Sequence, residues 1–116
     1  MSYALHFRRV QAPQFQEDGI SGSIYSDEHD FERASAARIT VASQHGRTTA
    51  ARTDRVYLVV AGSGWFAVGD ERFAVDLSDV VIVPRGTEYD FGGTGLEVFV
   101  VHCPAFDPSE NAIGTD

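Results

Sequence analysis

Four side chains from residue 55 onward in this 116-residue sequence carry groups suited to chemistry. Arg55 offers a planar, permanently charged fork that can hold a carboxylate or phosphate through paired hydrogen bonds. Tyr57 lies two residues on, so on a strand it shares a face with Arg55. Tyr89 supplies a phenol that can serve as a general acid or donate a hydrogen bond to a carbonyl. His102 falls in phase with Leu96, Val98 and Val100. It is a candidate general base, against a plainer reading as a buried, hydrogen-bonded structural histidine. The sequence has no lysine, and all nine basic residues are Arg, which excludes Schiff-base chemistry and a lysine base. An anionic ligand must therefore be held by Arg, His or backbone N–H groups.

These residues need strands to position them, and the pattern supplies strands. Arg55–Ala61 is rich in β-branched and aromatic residues, and Gly62-Ser63-Gly64 reads as the turn after it. Trp65–Val68 and Arg72–Val75 form a hairpin about Gly69-Asp70. Val80–Val83 ends in the Pro84-Arg85-Gly86 turn, and the chain becomes extended again at Tyr89. Phe91–Gly95 reads as a glycine-rich turn before the strong strand Leu96–His102. Upstream, a short strand lies within Gly19–Ser26, Asp27–Arg33 is a charged loop or one helical turn, Ala37–Ala42 is a strand, and His45–Thr53 is turn-like. Pro104 ends the last strand, and the residues from 105 to 116 form a tail. Short strands at close spacing without a helical period predict an all-β sandwich or barrel, built as one domain over residues 1–116.

The formal net charge is −8 without a basic cluster, which argues against nucleic acid and membrane surfaces as partners. No apolar run reaches the roughly 18 residues that a membrane helix needs. Met1–Val10 lacks a long apolar stretch, so no secretory signal is expected. The expected location is cytoplasmic. The single cysteine, Cys103, cannot form an internal disulfide, and nothing nearby activates it, so a buried inert thiol is expected.

The stretch Ser78-Asp79-Val80-Val81-Ile82-Val83-Pro84-Arg85-Gly86-Thr87-Glu88-Tyr89 resembles the second motif of the cupin family, G-D-x4-P-x-G-x2-H, with Tyr89 in the histidine position. Asp54–Gly62 resembles the strand that closes the first motif, G-x5-H-x-H-x4-E-x6-G, with Gly62 as its final glycine. The resemblance spans roughly Thr40 to Pro104, with a motif-bearing core of about 37–104, and implies a double-stranded β-helix, or jelly-roll barrel. It also implies that the four metal-ligand slots, three His and one Glu in a metal-binding cupin, here hold Thr48, Ala50, Arg55 and Tyr89. Alanine cannot ligate and Arg places a fixed cation where a metal would bind, so neither a metal nor another cofactor is expected. His45 precedes the first slot by three residues and on a strand would face the other way. A site rebuilt from His45, His102 and Glu88 is the alternative.

By analogy with the ligands they replace, Arg55 and Tyr89 would face the barrel interior, with Tyr57 beside them and Thr48 nearby. A Tyr–Arg–Tyr lining suits a small anionic, polar-ring or sugar-like ligand. The plainer reading gives Arg55 an internal salt bridge with Glu88 or Asp54 and gives the tyrosines ordinary packing. Trp65 is a further candidate to lie against a ligand, with either Trp65 or Phe66 in the core and the other at a dimer surface. Glu88 is expected in solvent. The resemblance further implies a homodimer joined by strand exchange or sheet packing near the N-terminal segment. Two functions follow: a metal-free small-molecule-binding cupin, or a metal-independent isomerase, epimerase or cyclase acting through Arg55, Tyr89 and His102. A metal-dependent, dioxygenase-like cupin with atypical ligands is the third reading.

Overall fold

A computed structural model of the chain describes residues 5–107, so the expectation for the tail from Pro108 onward lies outside the described residues. A short 3-10 turn at Arg9–Gln11 precedes ten strands. They are β1 (Gln14–Glu17), β2 (Ile20–Ile24), β3 (Ser35–Val41), β4 (Thr48–Thr49), β5 (Asp54–Ala61), β6 (Gly64–Val68), β7 (Glu71–Val75), β8 (Val80–Val83), β9 (Glu88–Gly92) and β10 (Glu97–Cys103). One sheet has the order β1-β2-β3-β10-β5-β8 and the other β4-β9-β6-β7. Neighbouring strands pair antiparallel throughout. This is the all-β, two-sheet architecture that the sequence predicts. Among the described residues no helix is long and apolar enough to cross a membrane.

Side-chain alternation explains why the sheets face each other. Along β10 the inward residues Val98, Val100 and His102 are buried, while Phe99 and Val101 between them are half-buried. Strand β8 alternates in the same way, with Val81 and Val83 inside and Val80 and Ile82 outside. The facing sheet contributes Phe66, Val75, Tyr89 and Phe91 to the same core. Each fully buried side chain of this kind is worth about 1.5–3 kcal/mol. Phe66 and Phe91 stack at 4.8 Å between centroids, and Tyr57 meets Phe91 at 5.2 Å. At the β5–β6 turn, Gly62 has φ +68°, and a Cβ there would stand 2.1 Å from the Gly95 carbonyl oxygen. Only glycine allows the two turns to approach that closely.

Three local readings change. Strand β1 has no sequence signal, because Gln14-Phe15-Gln16-Glu17 offers one apolar residue, and it forms only by pairing with β2. Phe91 and Gly92 continue β9 rather than starting a turn, since that strand is paired by β6 on one side and by β4 and the Gln44–Gly92 bridge on the other. Cys103, at the end of β10, is half-buried rather than buried.

Candidate functional site

Arg55 and Tyr57 project from β5 towards the opposite sheet, where Tyr89 stands on β9. The Arg55 guanidinium donates from Nη1 to the Tyr89 hydroxyl at 2.9 Å and from Nε to Thr53 Oγ1 at 3.3 Å. The Tyr57 hydroxyl donates to the same Tyr89 oxygen at 3.1 Å. Tyr89 thus accepts two hydrogen bonds, one of them charge-assisted and so about twice as strong as a neutral one. Burial lowers the Arg55 pKa, but Tyr57 and Tyr89 more than offset it, so the guanidinium is held above its ordinary value. Burial is the main reason that the Tyr57 phenol is pushed well above its ordinary pKa. Arg55 does not pair with Glu88 or Asp54. Glu88 is exposed and meets Arg47, and Asp54 pairs with Arg85 of the Pro-x-Gly turn. The hydrogen bonds from Arg85 hold the Asp54 carboxyl down to about 2.

Of the four slots, Thr48 lies opposite Tyr89 in the β4–β9 register and Arg55 bonds to Tyr89, while Ala50 is buried like the other three. Their chemistry does not fit a metal ion, because the set contains a guanidinium and a methyl group. Nor do the alternative ligands gather, since His45 and His102 face the interior while Glu88 lies outside. No group of three or more His, Cys, Asp or Glu among the described residues is placed to hold one.

Beside this cluster is a cavity of about 130 Å³, open at one end. Phe15, Ile24, Ala37, Ile39 and Phe106 form its apolar wall, Glu17 is at the exposed side, and His45, Arg55 and His102 form its polar end. Arg55 and His102 are therefore at the cavity. Thr48, Tyr57 and Tyr89 are not among the residues that line it. The His45 ring and the Arg55 side chain stand in front of them, with His45 stacked on Tyr89 at 5.5 Å and on Phe91 at 4.7 Å. Trp65 is not there either. Alternation gives the inward position on β6 to Phe66, and Trp65 lies on the outer face with the Arg72 guanidinium 4.0 Å above its ring.

His45 is the residue that strand alternation misplaces. Residues 45–47 are not regular strand, and Gly46 has φ +99°, which breaks the alternation and turns the ring inward. Asp90 pins this loop: its carboxylate accepts from Gly46 N–H at 2.8 Å and from the Gln44 amide at 2.7 Å. Only the tyrosine and phenylalanine that flank Asp90 in the sequence are apolar signals, so its inward-facing duty was invisible there. The His45 backbone N–H adds a bond to the Phe91 carbonyl at 2.7 Å. His45 Nδ1 is 2.8 Å from the Gly46 carbonyl, which can only accept. Nδ1 must therefore carry a proton, and in the neutral ring Nε2 is the acceptor nitrogen.

His102 lies between Ser35 on β3 and Arg55 on β5 in the strand registers. Its Nδ1 is 3.0 Å from Ser35 Oγ, and the Ser35 oxygen also accepts the Phe106 backbone N–H at 2.7 Å. Burial, reinforced by the Arg55 charge, lowers the His102 pKa from 6.5 to about 3, so the imidazole is neutral at physiological pH.

No family model matches the chain, and no curated protein matches it. Solved structures do. Pac13, a nucleoside dehydratase, superposes with a TM-score of 0.82 at 23% identity, covering 93% of this chain and 88% of that one. A histidine variant of the Streptomyces protein with uridine gives 0.82 at 22% identity over the same shares. Two tyrosine-to-phenylalanine variants were also solved with uridine. KdgF from a Halomonas species gives 0.80 at 16% identity, covering 92% of this chain and 99% of that one. The cupin domain of Cnp3 from Schizosaccharomyces pombe gives 0.71 at 17%, covering 92% and 77%. The chain has the cupin fold.

Proposed function

We propose that this chain is a metal-independent cupin that binds a small sugar- or nucleoside-type metabolite in the barrel and moves a proton on it. The observation that carries this reading is the polar end of the cavity, where His45, with Nε2 as its acceptor nitrogen, stands beside the Arg55 guanidinium. His45 is the general base in this scheme, in place of His102, the candidate that the sequence offers. A neutral imidazole that offers Nε2 as an acceptor is suited to that role. Arg55 neutralises charge that develops on the ligand as the proton leaves, and Tyr89 with Tyr57 holds Arg55 in place. Tyr89 is a positioning residue in this scheme, not the acid. The cavity is well below the roughly 300–1,000 Å³ of sites for drug-sized ligands and near the roughly 150 Å³ that admits a benzene ring. It takes one ring, so a nucleoside would leave its second ring at the mouth near Phe15 and Glu17. Support comes from the likeness to a nucleoside dehydratase whose variants at one histidine and two tyrosines were solved with uridine.

The test is a titration of the isotope-labelled protein with uridine and a panel of monosaccharides and sugar acids, followed through the His45 and His102 ring signals. Deuterium uptake from D2O into the bound compound is then measured. Binding by wild type, weakened in Arg55→Ala, with exchange lost in His45→Gln and in the loop-releasing Asp90→Ala, supports the reading. Exchange that survives His45→Gln removes His45 as the base. No perturbation of either ring by any member of the panel refutes the ligand class.

A further inference from the structure

The two cavity histidines are held in opposite states, and the difference assigns a role to His102. The Ser35 oxygen accepts the Phe106 N–H at 2.7 Å and lies 3.0 Å from His102 Nδ1. Ser35 is buried at 4% exposure, and no other described group is there to accept its proton. If His102 donated from Nδ1, the hydroxyl proton would be left without a partner, at a cost of roughly 1–3 kcal/mol. The consistent arrangement runs Phe106 N–H to Ser35 Oγ, then Ser35 O–H to His102 Nδ1, which places the imidazole proton on Nε2. His102 itself is 94% buried (6% exposed), and the Ser35 hydroxyl is the only side-chain partner described for its ring; the Ser35 backbone contact, which partly offsets the lowered pKa, is the weakest of the three influences on it. No enclosed polar side-chain atom among the described residues lacks a partner. The ring also lines the cavity. Nε2 therefore meets the cavity rather than packed protein.

We propose that His102 is a tautomer-locked hydrogen-bond donor, which presents Nε2–H to the ligand and selects a carbonyl, carboxylate or other acceptor oxygen at that end of the cavity. Ser35 is its positioning residue. This rests on the small-molecule reading given above and deepens it: one histidine takes the proton while the other holds the oxygen that gains charge. The low His102 pKa agrees, because a ring that stays neutral keeps a fixed donor and a fixed acceptor through the physiological range. The apolar wall of Phe15, Ile39 and Phe106 opposite this donor fits a ring or hydrocarbon body behind the acceptor group.

Two measurements on the full-length chain test it. The first is the tautomer of His102, read from the ring nitrogen and carbon shifts at pH 7 in wild type and Ser35→Ala. Nε2–H in wild type, with loss of the single tautomer in a folded Ser35→Ala, is expected. A wild-type Nδ1–H tautomer or a protonated ring overturns the proposal. The second compares benzoate, an acceptor on an apolar ring, with benzylamine, a donor on the same ring. Benzoate should bind at least tenfold more tightly, perturb the His102 Nε2–H signal, and lose about tenfold in affinity to His102→Phe, as for a hydrogen bond to a charged group. Equal affinities, or benzoate binding unchanged by His102→Phe, overturn the donor role. If neither probe binds and the tautomer is as expected, it is the ligand-binding reading that fails and this inference falls with it. A wrong tautomer with binding intact sinks this inference alone.

Discussion

His102 gives the sharpest quantitative test, because it is a histidine that the fold keeps neutral. In the unfolded chain it takes its proton near its ordinary 6.5, and in the folded chain only near about 3. A depressed folded pKa means that the unfolded state binds more protons as the pH falls. Folding stability is therefore complete above 6.5 and is withdrawn below it, at about 1.4 kcal/mol per pH unit, until the folded value is reached. Between pH 7.5 and pH 5 the unfolded chain gains this proton and the folded chain does not, which removes roughly 2 kcal/mol. That figure does not depend on the exact folded value, provided it lies well below 5. The cause is physical: the ring is enclosed between strands and faces the Arg55 cation, and both penalise an imidazolium.

The assay is urea unfolding of wild type and His102→Gln at pH 7.5, 6 and 5. Glutamine can accept the Ser35 hydroxyl but does not titrate. His6, His29 and the exposed carboxylates are common to both proteins and cancel in the difference. His45 shares the cavity, so the comparison is repeated in a His45→Gln background to remove any coupling. Wild type should lose about 2 kcal/mol more than the variant over this range, with half or more of the loss between pH 6 and 5. Parallel slopes for the two proteins, or a directly titrated His102 midpoint near 6.5, would refute the account of its burial.

Removing the hydroxyl in Tyr89→Phe takes an acceptor from a buried guanidinium and from the Tyr57 hydroxyl, and should cost about 1.5–3 kcal/mol. Denaturant midpoints measure it, and a cost below about 0.5 kcal/mol would mean that the Arg55–Tyr89 contact carries no charge-assisted weight. Gly62→Ala and Gly46→Ala both place a side chain at positive φ, but only Gly62 would drive its Cβ into a backbone oxygen, at 2.1 Å, while Gly46 has open space around it. Gly46→Ala should cost only the roughly 1–2 kcal/mol of the left-handed conformation, and Gly62→Ala clearly more or prevent folding. Metal analysis of protein purified without added metal should find no stoichiometric transition metal, and a stoichiometric ion would show that Thr48, Ala50, Arg55 and Tyr89 are not where a ligand set has been replaced.

The barrel was legible in the sequence because its code is local. The alternation of Val98, Val100 and His102, the β-branched run before Pro84, and Gly62 at a turn are read from neighbours two residues apart. Arg55 and Tyr57 on one face follow from the same period. The site was less legible because its geometry is set by loops and by long-range partners. His45 faces inward only because Gly46 breaks the period and Asp90, 44 residues further on, pins the loop from another strand. Phe15 reaches the cavity on a strand that pairing creates. Ser35 takes its meaning from His102 and Phe106, which lie 67 and 71 residues away. The reverse error has the same origin. Tyr89 was placed at the cavity by analogy with the ligand it replaces and Tyr57 because it shares a face with Arg55, yet direction does not fix depth, and it is the Arg55 and His45 side chains touching Tyr89 that line the cavity.

The replacement at the four slots has a chemical logic of its own. A bound metal needs anionic or imidazole ligands around it and offers an open coordination position. Arg55 brings a positive charge to the same place covalently, so the slots no longer need to attract a cation, and they can be small or neutral, as Thr48 and Ala50 are. What the guanidinium needs is acceptors, and the Tyr89 and Thr53 oxygens supply them. The exchange narrows the chemistry. A guanidinium cannot coordinate, change oxidation state or activate a water by ligation; it can orient an acceptor and stabilise negative charge. On the reading proposed above, proton movement falls to the two imidazoles at the cavity, with His45 held by the Gly46 carbonyl as the acceptor and His102 held by the Ser35 hydroxyl as the donor. On that reading, a guanidinium in the slots and a tautomer-sorted histidine pair beside it belong together, the one holding charge and the other handling the proton.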